Sequence, residues 1–226
     1  MAVKNSISEN EHDERIVLKA KQLWNSNQKL ISIVVVAIAI IIGGYWSYNN
    51  FIQKPKEAKA ADALFKAEEY YRVDSLQKAL HGDGLNIGLI KVLDKFSGTK
   101  AANLAHFYAG DCYLRTGDFA NAIKQLEAFD TDAAQVQARA YKLLADAYSE
   151  LNKNDEAISY YQKAAHHFTD DTYNAAEYLF NAAGLSEKTG KTKEAIELYK
   201  EVKDKFPGTQ QSSEADKYLA KLGVYN

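Results

Sequence analysis

The chain has 226 residues, with 28 Lys and Arg against 30 Asp and Glu, a net charge of −2. That balance gives no sign of the basic surface a nucleic-acid partner needs, so none is expected, and the lone cysteine, Cys112, excludes an intrachain disulfide framework. Only Pro55 and Pro207 interrupt a sequence rich in Ala, Lys, Glu and Leu, a composition that favours helices throughout.

Residues 1–28 read as a polar arm, with Glu9, Glu11, Asp13 and Glu14 crowded near its start. Residues 29–53 read as a transmembrane helix. Between Lys29 and Lys54 there is no Asp, Glu, Lys, Arg or His, and an apolar helix of roughly 20 residues crosses a bilayer core of about 30 Å. Trp24 precedes the span, and Tyr45, Trp46, Tyr48 and Phe51 lie at its far end, as interfacial aromatics do. A cleaved signal peptide fits poorly: the run is too long and ends in Gly43, Gly44, Tyr45 and Trp46 without a small-residue cleavage site. A buried core helix would keep a polar face. Orientation stays open on charge alone, because Lys4, Arg15, Lys19, Lys21 and Lys29 balance Lys54, Lys56, Lys59 and Lys66. Gly43 and Gly44 permit close helix contact but form no G-x-x-x-G motif.

Beyond Pro55, residues 54–226 repeat. The strings Phe119-Ala-Asn-Ala-Ile, Asn154-Asp-Glu-Ala-Ile and Lys193-Glu-Ala-Ile share Ala122, Ala157 and Ala195, spaced 35 and 38 residues apart. Upstream of each stands Gly117, Asn152 or Gly190, residues that end a helix in a left-handed conformation with little strain. Before and after each turn the apolar residues follow helical spacing, for example Tyr141, Leu144, Ala145 and Tyr148, then Ala157, Ile158, Tyr161 and Ala164. Each unit is therefore helix, tight turn, helix. Unit bounds are about 103–134, 138–169 and 176–208, with the extra residues of the longer spacing expected to lengthen the His166–Thr172 loop.

A degenerate unit at about 57–98 precedes these. Lys95-Phe-Ser-Gly-Thr matches Lys205-Phe-Pro-Gly-Thr, which places a second helix over Leu85–Phe96 and a first over Glu57–Leu80, joined by His81-Gly-Asp-Gly. Residues 210–222 make a C-terminal capping helix whose outer face carries Lys217 and Lys221. These units resemble tetratricopeptide repeats. The second matches best, with Tyr141, Leu144, Ala145, Tyr148, Ala157, Tyr161 and Ala164. The first offers His106, Ala109, Gly110, Tyr113, Ala122, Leu126 and Phe129, and the third Leu179, Ala182, Ala183, Ala195, Tyr199 and Pro207, with Ser186 at an aromatic position. The resemblance implies an α-solenoid of three clear repeats, one degenerate repeat and a cap; with the transmembrane helix before it, the expected fold class is all-α.

The Glu9-Asn-Glu arm, the span and its aromatic-rich exit together resemble the YfgM-type proteins. That resemblance implies a single-pass bacterial inner-membrane protein with a cytoplasmic N-terminus and a periplasmic repeat domain. It implies partnership with the Sec translocon and with a periplasmic chaperone or prolyl isomerase, on unfolded or extended polypeptides.

No string announces a nucleotide site, a catalytic group or a cofactor. His166 and His167, with Asp170 and Asp171 behind them, match no standard zinc spacing and read as a solvated helix end. Cys112 reads as a small buried hydrophobe rather than a nucleophile. The functional surface expected from the repeats is the inner face of the first helices, where Phe107, Asp111, Leu114, Arg139, Lys142, Asp146 and Phe180 form a candidate peptide groove of mixed polarity. Two functions remain open: a translocon-associated subunit of a chaperone network, or a structural adaptor that scaffolds envelope assembly factors.

Overall fold

The computed structural model describes residues 2–225, and their side chains from Arg15 onward except those of Ala20, Gln22 and Leu23. It divides into two units, residues 1–55 and 56–226. In the first, α1 runs over Ala2–Tyr48, so the expected polar arm is itself helical. The described stretch from Trp24 is long and apolar enough to cross a membrane. Its apolar side chains stay bare, with Ile33, Ile40 and Ile41 each 68% exposed; the core helix of a soluble protein would have buried them. A π-helical turn follows at Asn49–Gln53. Such a turn takes the usual i+4 donor from a carbonyl, and Asn50 Nδ2 supplies one to Trp46 O at 2.8 Å.

Among the described residues the second unit holds ten helices, the first of them beginning two residues before the boundary: α2 (Lys54–Arg72), α3 (Leu76–His81), α4 (Leu89–Lys95), α5 (Lys100–Arg115), α6 (Phe119–Glu127), α7 (Ala134–Glu150), α8 (Asn154–His167), α9 (Thr172–Lys188), α10 (Thr192–Lys205) and α11 (Gln210–Lys221). One closing device recurs. Gly117, Asn152 and Gly190 take positive φ, and at each the next residue donates to a carbonyl five residues back: Asp118 N to Tyr113 O, Lys153 N to Tyr148 O and Lys191 N to Ser186 O, all 2.9 Å. This is the paired helix-ending arrangement that satisfies the last carbonyls of a helix. Five residues on, Ala122, Ala157 and Ala195 are each fully buried. A methyl group there lets the second helix lie close against the first.

The degenerate unit differs from the expected single helix over Glu57–Leu80. Asp74 takes φ 60°, Ser75 N donates to Tyr70 O at 2.9 Å, and α2 stops. Asp tolerates the left-handed region better than most residues, so this is the same turn made without glycine. Five residues on stands Ala79, also fully buried. The second helix of this unit is then α3 plus α4, split by residues 82–88. The inserted loop is closed by a bridge between Gly82 and Ile87, and Asp83 Oδ1 accepts from the amides of Leu85 (2.9 Å) and Asn86 (2.6 Å). The Tyr70 hydroxyl donates to Asp83 Oδ2 at 2.6 Å. The Asn86 amide, with that hydroxyl, holds the Asp83 carboxyl well below the usual carboxylate range. A Cβ at Gly82 would fall 2.2 Å from Asn86 O, so the bend requires glycine.

A second difference concerns the 38-residue spacing. The expected longer loop before α9 is in fact the short segment 168–171, against 128–133 before α7. The extra residues extend α8 to 14 residues, where α6 has 9. Helix continues because Ala164 and Ala165, in the added turn, are themselves buried.

The matching strings Lys95-Phe-Ser-Gly-Thr and Lys205-Phe-Pro-Gly-Thr do one job twice. Thr99 Oγ1 donates to Phe96 O (2.7 Å) and accepts from Ala102 N (3.0 Å). Thr209 Oγ1 donates to Phe206 O (2.8 Å) and accepts from Ser212 N (3.2 Å). Each threonine thus ends one helix and caps the next. On α11, Ala215 and Leu219 are buried while Lys217 and Lys221 stay exposed, as a solenoid end requires.

Two interior glycines allow opposite tests. A Cβ at Gly110 of α5 would lie 2.4 Å from Leu126 Cγ, whereas one at Gly184 of α9 meets only Tyr199 Oη at 3.7 Å. In thermal melts of the full chain in detergent, Gly110→Ala lowers stability: overpacking of about 1–3 kcal/mol exceeds the helix gain of about 1 kcal/mol. Gly184→Ala raises stability by about 0.5–1 kcal/mol.

Candidate functional site

The first helices of successive units, α2, α5, α7 and α9, share one inner face because the closing turn sets the same register in each. Asp74, Gly117, Asn152 and Gly190 stand 43, 35 and 38 residues apart. Counting back from each turn by the same amount aligns Ala61, Leu104, Arg139 and Glu177 in one row. The neighbouring row is Leu64, Phe107, Lys142 and Phe180.

A cavity of about 620 Å³ opens on this face, within the range of ligand-binding clefts. Its aromatic wall is Tyr71, Phe107, Tyr108 and Tyr178, with Phe168 entering from the loop before α9. The Tyr71 and Tyr108 rings meet at 4.9 Å and Phe107 leans on Phe129 at 5.3 Å, distances at which ring pairs attract. Four charged side chains reach it: Arg139, Lys142, Asp171 and Glu177. Lys142 Nζ is committed to Asp146 at 2.8 Å. Asp171 caps α9, accepting from Asn174 N at 3.3 Å, and also accepts from Gln135 Nε2 at 3.3 Å. Arg139 lies over the Phe107 ring at 5.9 Å, a cation–π distance. Among the described residues neither Arg139 nor Glu177 joins an ion pair within 4.0 Å.

A second, shallower depression of about 560 Å³ lies between α2 and α5, lined by Ala58, Ala61, Leu64, Phe65, Ala101 and Leu104, with Glu57, Glu68 and Lys100 at its rim. Leu104 borders both hollows.

Behind the wall lie carboxylates that tyrosines cover. Asp111 is 5% exposed and accepts a hydrogen bond from the Tyr71 hydroxyl, which ties α2 to α5. Asp146 accepts from Tyr161 Oη at 2.6 Å, which ties α7 to α8. Burial, reinforced by the adjacent carboxylate, pushes the Tyr71 and Tyr161 hydroxyls well above the usual phenol range. Both therefore stay protonated donors.

Of the expected groove residues, the cavity brings together Phe107, Arg139 and Lys142. Asp111 and Asp146 sit behind its surface as hydrogen-bond acceptors. Leu114 packs instead against the cluster around Phe107, Leu126 and Leu143. Phe180 joins an aromatic cluster with Tyr199 (5.3 Å) and Tyr218 (5.4 Å), where α9, α10 and α11 meet. The third unit contributes Glu177 and Tyr178 to the cavity instead. Glu177 was findable by counting: it is the residue 38 positions after Arg139. Tyr71 was hidden because the turn at Asp74 lacks glycine.

The histidine pair divides: His166 Nε2 meets Glu201 Oε1 at 2.7 Å, and the His167 ring lies edge-on to Tyr141 at 5.4 Å. No group of three potential metal ligands occurs among the described residues. Cys112 is fully buried in α5, where burial pushes its thiol up to about 12.

A superhelix of paired helices, closed by one repeated turn and presenting an inner groove, defines a protein-interaction solenoid, and the chain belongs to the tetratricopeptide repeat family. The family's model matches residues 89–136 and 142–208, together half of the chain. Members of this family bind other proteins and are typically non-catalytic scaffolds. Among solved structures, the chain is similar to the crystal structure of MamA protein, at 20% identity and a TM-score of 0.51, over 72% of this chain and 89% of that one. At that identity the likeness is one of fold. No curated protein matches the chain.

Two outcomes follow. Tyr71→Phe leaves the Asp111 carboxylate buried without its hydroxyl donor and destabilises the repeat domain by about 1–3 kcal/mol, read from chemical denaturation. At pH 8 the Cys112 thiolate fraction is about one in ten thousand, so Ellman's reagent modifies Cys112 only after denaturant is added.

Proposed function

We propose that this protein is a membrane-anchored polypeptide-binding subunit that works beside the Sec translocon and a periplasmic chaperone or prolyl isomerase. In this reading the N-terminus is cytoplasmic, α1 crosses the inner membrane and the repeats meet secreted chains as they emerge. The groove is the observation that carries it. An aromatic wall with two uncommitted charges of opposite sign suits weak, adaptable contact with many extended chains better than one tight folded partner. The apolar, bare stretch of α1 supports the anchor, and the resemblance of the arm and span to YfgM-type proteins supports the translocon, the partners and the orientation.

Site-specific photo-crosslinking in living cells tests it from two positions: Ile38 in α1, 50% exposed, and the exposed Gln135 at the groove. Translocon subunits captured from Ile38, with a mixed population of secreted chains from Gln135, are the expected outcome. A single folded envelope protein from Gln135, with no translocon subunit from Ile38, would make the protein an adaptor.

A further inference from the structure

The inner groove changes character along its length in one direction. Its first hollow has an apolar floor of Ala58, Ala61, Leu64, Phe65, Ala101 and Leu104, with the charged Glu57, Glu68 and Lys100 around it. Next along the same row comes Arg139, and after it Glu177. Among the described residues these two join no ion pair, Arg139 resting over the Phe107 ring, whereas Lys142 is held by Asp146 and Asp171 is engaged by Asn174 and Gln135. The row Ala61, Leu104, Arg139, Glu177 thus reads apolar, apolar, cationic, anionic, with each position on a successive first helix.

Packed helices lie about 8–10 Å apart, and an extended chain advances about 3.3 Å per residue. One step along the row therefore corresponds to about three residues of a bound strand. Resting on the reading that the groove binds extended polypeptide, we infer that it selects segments in which a large apolar side chain is followed, about three to four residues on, by an acidic one. A basic side chain then follows about three residues further. The apolar side chain fills the hollow against Phe65 and Leu104. The carboxylate meets the Arg139 guanidinium, which can receive it with two parallel hydrogen bonds, and the cation meets Glu177. A run of acidic residues is disfavoured because Glu177 and Asp171 face the same cavity. An all-apolar segment leaves both charges desolvated and unpaired.

The test uses the full chain in nanodiscs and fluorescein-labelled dodecapeptides of Ser, Gly and Ala carrying one Leu, one Glu and one Lys. Fluorescence anisotropy compares the order Leu, Glu, Lys at the stated spacing, in both chain directions, with the same peptides having Glu and Lys exchanged. The favoured order binds about fivefold more tightly in one chain direction, the scale expected of two partly exposed ion pairs. The double variant Arg139→Glu, Glu177→Arg keeps net charge and inverts that preference. Phe65→Ser weakens both peptides about tenfold without changing their ratio. The inference is overturned if wild type binds both orders equally, or if the double variant leaves the preference as it was. A permanently unfolded protein, reduced and carboxymethylated lactalbumin, separates the two levels of the claim. If it binds wild type and double variant alike while the peptides show no preference, polypeptide binding stands and the charge order falls. If neither it nor any peptide binds, both fall.

Discussion

The constraint on which the repeat domain depends is the left-handed turn that ends each first helix. One residue at positive φ, with an amide reaching five residues back, reverses the chain in the fewest residues that still satisfy the final carbonyls. The turn also sets register. The fully buried alanines Ala79, Ala122, Ala157 and Ala195 all stand five residues beyond it. Close approach at those points is what allows Leu126 to reach Gly110 and Tyr161 to reach Asp146. The inner face inherits this regularity, because equal counts back from equal turns bring residues from distant parts of the chain into one row.

The groove is held by interactions that face away from it. Tyr71 and Tyr161 hydroxyls cover the carboxylates of Asp111 and Asp146, and both tyrosines are kept protonated by burial beside those acids. Lys142 is drawn back onto Asp146. What remains free to meet a ligand is a small set: rings, one guanidinium and one carboxylate. A wall braced from behind can present exposed charge without collapsing onto it.

How legible was this? The turns at Gly117, Asn152 and Gly190 were readable because glycine and asparagine announce positive φ. The turn at Asp74 was not, since aspartate is common in many settings and the insertion at 82–88 displaced the landmark that would have matched Ala79 to its counterparts. The spacing of 38 residues was plain, but its location was not: the additional residues lengthen α8 rather than the loop. Of the groove residues, Phe107, Arg139 and Lys142 line the cavity. Phe180, though in the same row as Phe107 and Lys142, is drawn into a cluster with Tyr199 and Tyr218. Row membership is a matter of counting, whereas the destination of a side chain depends on which rings lie opposite.

By itself the amino-acid sequence determined the apolar span, the helical class, the repeat period and the buried small residues. Each of these is written in local spacing, apolar content or backbone preference. Only the tertiary structure decided that α2 ends at Asp74, that Asp111 is buried against Tyr71, and that Arg139 and Glu177 are the charges left uncommitted beside an apolar hollow. The side-chain pairings among them join residues 15 to 41 apart, such as Asp146 with Tyr161, Asp111 with Tyr71 and Arg115 with Asp74. Which of several possible acids a hydroxyl or an ammonium finds is settled by three-dimensional proximity, and no count along the chain contains it.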